Sequence, residues 1–388
     1  MQRRNPKLNP HIIAAAALLG LVLAVGALRL WTSASDQPGQ GGVNPPIPEG
    51  PAIEAPRLVS IDMIDESHGW AVTETGVART ADGGEHWYDV VPPGVSEAGY
   101  LVATDFLDAS TAWVLLPDMA DFLHKGTLFR TQDGGALWEA VETPFGGGSL
   151  AFVDAQYGWM MADLGAGAGS QGAAIFQTED GGAAWNRTYT NDPNQDGSGD
   201  SLPLGGQKHF IEPIDMRTAY IGGVIYAPAT LYLFRTDDAG ESWSEVSIPL
   251  PADFAESELA IGQVRFFSDE VGLMAVRVTG DSIRMAIYET RDGGGIWSRW
   301  PRVLEGARTV TFISPTEAIE YATSQFHVTR DAGRAWFSIS PDVRFDESFG
   351  SMDWISTEMG WVVTSDAAGK RSLYKTTDGG VTWTALAP

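Results

Sequence analysis

One octapeptide recurs seven times and limits the folds open to this chain more than any other feature. It reads TADGGEHW from Thr80, TQDGGALW from Thr131, TEDGGAAW from Thr178 and TDDAGESW from Thr236. It continues as TRDGGGIW from Thr290, TRDAGRAW from Thr329 and TTDGGVTW from Thr376. The common form is T-x-D-(G/A)-G-x-x-W. Its aspartates are Asp82, Asp133, Asp180, Asp238, Asp292, Asp331 and Asp378. They are spaced by about 49 residues, within the range of propeller blades. Units repeated at this period bury their faces by stacking on one another.

The octapeptide has the chemistry of a hairpin turn. Its Asp carboxylate accepts backbone N–H groups of the turn it opens. The second Gly supplies a positive φ at no steric cost. Thr suits the end of the incoming strand. Trp87, Trp138, Trp185, Trp243, Trp297, Trp336 and Trp383 start the outgoing strands and bury large apolar areas between sheets. A second pattern precedes each box, clearest as IDMIDESHGWAV, TDFLDASTAWVL and AFVDAQYGWMMA, and it reads as strand, tight turn, strand. Two strands here and two around the box make four per repeat. The expected fold is all-β: a seven-bladed β-propeller of four-stranded blades over residues 58–388. The chain starts with a blade's first strand and ends with a blade's last, with no strand swap evident.

Forty-five glycines agree with many tight turns. The absence of cysteine excludes disulfides, thiolate metal sites, a cysteine nucleophile and a lipid-modified N-terminal cysteine.

The N-terminus reads differently. Residues 12–28 form an apolar run preceded by Arg3, Arg4 and Lys7 and closed by Arg29 and Trp31. Residues 1–31 are therefore expected to form a membrane-anchoring helix, or a signal segment cleaved near Ser33-Ala34-Ser35, with the remainder outside the cytoplasm. Residues 32–57 are rich in Pro and Gly and read as a linker. All 50 acidic residues follow Trp31, against 21 of the 25 basic ones. A surface so acidic repels phosphate backbones, so no nucleic-acid partner is expected.

The pairing of F-x-D-x-x-x-G-W with T-x-D-G-G-x-x-W, over about residues 58–388, resembles the Asp-box (BNR) propellers of the photosystem II stability/assembly factor-like family. The resemblance implies an extracytoplasmic, non-enzymatic scaffold that binds a protein or a membrane-protein complex. The Asp-box is shared with sialidases, xyloglucanases and sortilin-type receptors, so a glycan-binding protein or glycoside hydrolase is the alternative. The chain departs from the assembly factors in lacking cysteine and in its acidity. Arg79, Arg130 and Arg235 recur before the box Thr, but Gln177, Glu289, Val328 and Lys375 break the series.

The seven box aspartates occupy equivalent turns, whereas a glycosidase needs two carboxylates converging in one cleft; they are read as structural. Asp192, Asn194, Asp196 and Asp200, with Gly197 between them, form D-x-N-x-D-G-x-x-D. This spacing of oxygen ligands suits a calcium loop, although Pro203 stands where an EF-hand has its closing glutamate. The alternative is a solvated polar loop. Ca²⁺ is thus the one cofactor suggested. Gly167-x-Gly169-x-x-Gly172 has no helix after it to bind a pyrophosphate and reads as a loop. The six histidines show no metal-ligand spacing.

Overall fold

The computed structural model describes residues 52–95 and 102–386. The expected apolar helix of residues 1–31 and most of the 32–57 linker lie outside the described residues. No helix among the described residues is long and apolar enough to cross a membrane.

The described residues are all-β, with 28 strands in six sheets. Five sheets hold four antiparallel strands each, laid side by side in chain order. The sixth holds eight, and these are two four-stranded meanders joined through one residue pair, Val224 with Ala260. Seven meanders result, over residues 58–89, 103–143, 148–190, 207–245, 258–305, 307–339 and 349–386.

First strands touch first strands across several junctions. Ala103–Phe106 meets Gly148–Phe152, which meets Gln207–Pro213; Ala307–Ser314 meets Phe349–Trp354, which meets Leu58–Met63. The first strands therefore gather at the middle, and the fourth strands lie at the rim, where Ser244 and Glu245 are exposed. Second strands are covered on both faces. Every residue of Gly69–Thr73 and Ala219–Val224 is buried, which is why these segments read as continuous apolar runs without alternation.

Seven apolar clusters fill the junctions between meanders. One joins the last meander to the first through Trp361, Val363 and Leu373 against Leu58, Ile61 and Met63. The ring closes there by packing, with each sheet built from one continuous stretch of chain. In four meanders a tryptophan of the second strand also ties its sheet to the next. The indole N–H donates to a carbonyl of the following meander in Trp70 (to Asp108, 2.8 Å), Trp113 (to Gly181, 2.9 Å) and Trp159 (to Asp215, 3.0 Å). Trp361 does the same to Gly83 of the first meander at 2.8 Å. Before the first strand, the Ile53 amide donates to the Trp87 carbonyl at 2.7 Å, so the end of the Pro/Gly-rich stretch is attached to the first sheet.

Candidate functional site

Third and fourth strands meet at the box turns, which share one geometry. In each, the Thr hydroxyl donates to the Asp carboxylate, from 2.7 Å at Thr236–Asp238 to 3.1 Å at Thr329–Asp331. The same carboxylate oxygen accepts the amide of the residue four further on: His86, Leu137, Ala184, Ser242, Ile296, Ala335 or Thr382. The second Gly donates its amide back to the Thr oxygen. The seven aspartates are thus spread one to a turn. Both glycine positions are left-handed, and where the first is alanine, Ala239 and Ala332 adopt φ of 64° and 56°. Sequence reading assigned positive φ to the second position alone.

The box tryptophans pack but differ in their indole N–H. Trp138 donates to Val90, Trp185 to Gly182 and Trp383 to Gly380, while those of Trp87, Trp243, Trp297 and Trp336 have no protein acceptor. The arginines before the box serve the neighbouring turn. Arg130 donates to the Asp180 carbonyl at 3.1 Å and Arg235 to the Gly293 carbonyl at 2.9 Å, and Arg79 lies over the Trp70 ring.

At the axis is a polar cluster that sequence reading missed. One register position of the first strand holds Asp62, Asp105, Ala151, Glu212, Arg265, Thr311 and Asp353 in the seven meanders; it faces a second-strand aromatic in five of them, and Leu273 and Ile319 in the other two. The four acids and the arginine are buried. Three of them reach forward to the backbone of the next meander: Asp105 accepts the Phe152 amide, Arg265 donates to the Phe312 carbonyl at 2.5 Å, and Asp353 accepts the Met63 amide at 2.6 Å. Burial pushes Asp353 up to about 7, against the pull of the Met63 and Trp354 amides and of Arg265. Burial, followed by the neighbouring Asp353 and Asp105, pushes Asp62 well above the usual carboxylate range. The legible signal was an acid in the middle of an apolar strand, in the strings IDM, TDF, IEP and MDW.

The connections between meanders and between second and third strands form the opposite, loop face. Met119, Phe122, Leu204 and Tyr226 are exposed there. The proposed calcium loop lies in one of these connections. Asp192 accepts both the amide and the side-chain N–H of Asn194 at 2.9 Å. Arg187 closes the loop by donating to Gln195 Oε1 at 2.6 Å and to the Asp196 carbonyl at 2.7 Å, and Gly197 is left-handed. Asp200 follows in the exposed part of the same connection. No group of three or more His, Asp or Glu side chains able to hold a metal forms among the described residues. Elsewhere on this face, a pocket of about 240 Å³ opens between Arg308, Tyr321 and Asp346. The Ser324 hydroxyl, with Arg344, holds the Asp346 carboxyl below its usual range.

This architecture is that of a β-propeller, and known structures agree. The chain superposes on a GH74 xyloglucanase from Xanthomonas campestris with a TM-score of 0.58 and 15% identity, over 87% of this chain and 55% of that one. It superposes on YCF48 bound to a D1 peptide with a TM-score of 0.52 and 16% identity, over 86% and 99%. A PL25 ulvan lyase gives a TM-score of 0.52 at 10% identity, over 86% and 95%. In sequence, a Paenibacillus xyloglucanase is 23% identical over 154 residues, which is 40% of this chain and 13% of that protein. The chain therefore spans a small part of that relative and about half of the xyloglucanase structure. No family model matches the chain. These likenesses include enzymes and a peptide-bound protein, and what they share with the chain is the fold.

Proposed function

We propose that this chain is a seven-bladed propeller scaffold, held outside the cytoplasm by its N-terminal apolar segment, that binds a protein partner through its loop face. The observation that carries this reading is where the chain keeps its proton-holding carboxyls. A glycosidase needs a carboxylic acid with a raised pKa beside a second carboxylate, both open to one cleft. The carboxyls pushed upward, Asp62, Asp353 and Glu320, are all buried, and Asp353 is tied to a neighbouring strand. The open pocket presents the opposite case, an ion-paired Asp346 held low. Exposed Met119, Phe122, Leu204 and Tyr226 on the loop face suit a polypeptide surface, where large apolar side chains anchor a partner. The YCF48–peptide structure supports the same direction by fold alone.

The test is crosslinking of the full chain in its native membrane, followed by mass spectrometry of what is recovered. A defined protein partner that is lost on Phe122→Ser plus Tyr226→Ser supports the reading. Recovery of glycan with no protein partner overturns it in favour of a glycan-active propeller.

A further inference from the structure

Six aspartates in this chain are followed by glycine, and five of them belong to boxes: Asp82, Asp133, Asp180, Asp292 and Asp378. The sixth is Asp196, in the connection between the third and fourth meanders. An Asp–Gly bond rearranges readily because glycine has no side chain to hinder the approach of its own nitrogen. That nitrogen attacks the Asp carboxyl carbon. A C–N bond forms, a C–O bond breaks, and the hydroxyl leaves with the amide proton as water. The product is a five-membered succinimide. Water then adds to either ring carbonyl and opens the ring, giving aspartate or isoaspartate. Nothing but water is consumed or released. The reaction needs an unengaged carboxyl, an unengaged glycine N–H and a backbone free to bring them together.

The fold withholds these from every box. Each box carboxylate already accepts the Thr hydroxyl and the amide four residues on. The glycine that follows it is engaged as well. Gly83, Gly134, Gly181, Gly293 and Gly379 each donate their amide, at 2.7 or 2.8 Å, to a carbonyl of the turn between the first and second strands of the same meander. Asp196 differs on each count. It and Gly197 are both exposed. Among the described residues its carboxylate accepts no hydrogen bond and the Gly197 amide donates none; Arg187 holds only the Asp196 carbonyl, at 2.7 Å. A methyl group placed on Gly197 would meet nothing within 4 Å, so the space around the bond is open. The other two acids of the loop are poorly placed for the same chemistry. Asp192 precedes Pro193, which has no N–H, and Asp200 precedes Ser201, whose side chain hinders the nitrogen. We propose that Asp196–Gly197 is a modification site, the one Asp–Gly bond of the six that converts spontaneously to isoaspartate in the folded protein. The product lengthens the main chain of this loop-face connection by one methylene group and moves the carbonyl that Arg187 holds. The proposal is independent of the scaffold reading, since it involves no partner.

The test is incubation of the full chain in detergent, in warm and mildly acid buffer, followed by tryptic digestion. The peptide of residues 188–208 is then analysed by chromatography and mass spectrometry. The expected result is a second peak of unchanged mass, a minor species lighter by one water, and methylation of the second peak by an isoaspartyl-specific carboxyl methyltransferase. Each hydrogen bond that must open first slows a site by about fivefold, so the three bonds of a box should place it about a hundredfold behind Asp196. In urea, where those bonds are gone, the six sites should convert at similar rates. Gly197→Ala should suppress the product, and Asp196→Glu should abolish it, because the ring would need a sixth member. Equal conversion of the six sites in the folded chain overturns the proposal, as does conversion of residue 196 in urea but not in the folded chain. A preference for residue 196 that persists in urea also overturns it, by placing the cause in the local sequence. So does a product undiminished in both variants.

Discussion

The Asp353 carboxylate in the last meander accepts the Met63 amide of the first at 2.6 Å, joining residues 290 apart in the chain. This bond lies at the junction where the ring closes by packing, with no shared strand. Asp353→Ala leaves a buried amide without a partner and should destabilise the protein by about 3 kcal/mol. Asp353→Asn keeps an acceptor of the same shape and should cost about 1 kcal/mol or less. Urea unfolding of the two variants checks this; equal losses would mean that the hydrogen bond is not what holds the junction.

Stability should peak in mildly acid solution. Asp353 is pushed up to about 7 and Glu320 to about 8, in both cases chiefly by burial. A carboxyl whose folded pKa exceeds its unfolded value, about 4, binds its proton more tightly when folded. Its contribution is complete below pH 4 and is lost as pH rises through 7 and 8. The box carboxyls of Asp292, Asp331 and Asp378 act in the other sense. Backbone amides, led by Ile296 at Asp292, Ala335 at Asp331 and Thr382 at Asp378, hold them below their usual range. Their contribution is present above about pH 4 and is lost as pH falls through their lower folded values. Thermal melts from pH 3 to 9 should therefore fall away on both sides, and Asp353→Asn should flatten the alkaline side only.

Glu320 occupies a position that is apolar in the other meanders. It lies opposite His327 where the equivalent pairs are Met160 with Phe176 and Met274 with Tyr288. Both its carboxylate oxygens are buried without a hydrogen-bond partner. Glu320→Met should stabilise the protein by roughly 1–3 kcal/mol at pH 8.5 and by less at pH 5, where the wild-type side chain is neutral. Chemical denaturation at the two pH values measures the difference. A gain independent of pH would point to packing alone.

Ala239 and Ala332 hold left-handed backbone that the other five boxes give to glycine. The strain on an L-residue there, about 1–2 kcal/mol, exceeds the roughly 0.4–1 kcal/mol that the extra freedom of glycine adds to the unfolded chain. Ala239→Gly plus Ala332→Gly should raise the melting temperature, and calorimetry would show it. A decrease would place the strain elsewhere.

At the 192–200 loop, the Arg187 guanidinium already binds Gln195 and the Asp196 carbonyl. Addition of millimolar calcium to the wild type should leave the melting temperature unchanged, since a cation would have to displace a guanidinium that is already bonded. A calcium-dependent rise would establish the loop as a metal site.

Much of this was legible in the sequence, and the reason is distance along the chain. Every contact of the box turn, from Thr80 to Asp82 and from Asp82 to His86, lies within four residues. A local pattern therefore encodes the turn completely, and seven copies encode seven meanders. The axial cluster was harder to see. Asp62, Asp105, Glu212 and Asp353 each look like one ordinary acid, and Arg265 like one ordinary base. They become a cluster only when the first strands meet.

The sequence by itself determined the all-β class, the four-stranded unit and the hairpin turns of the box residues, because hydrogen bonds within a hairpin and apolar patterning along a strand are local. Only the tertiary structure decided the closure of Asp353 onto Met63, the burial of Glu320 between two sheets, and the gathering of Arg308, Ser324 and Asp346 around one pocket. Each of these depends on which distant strands become neighbours, and that is settled when the meanders stack on one another to bury their apolar faces.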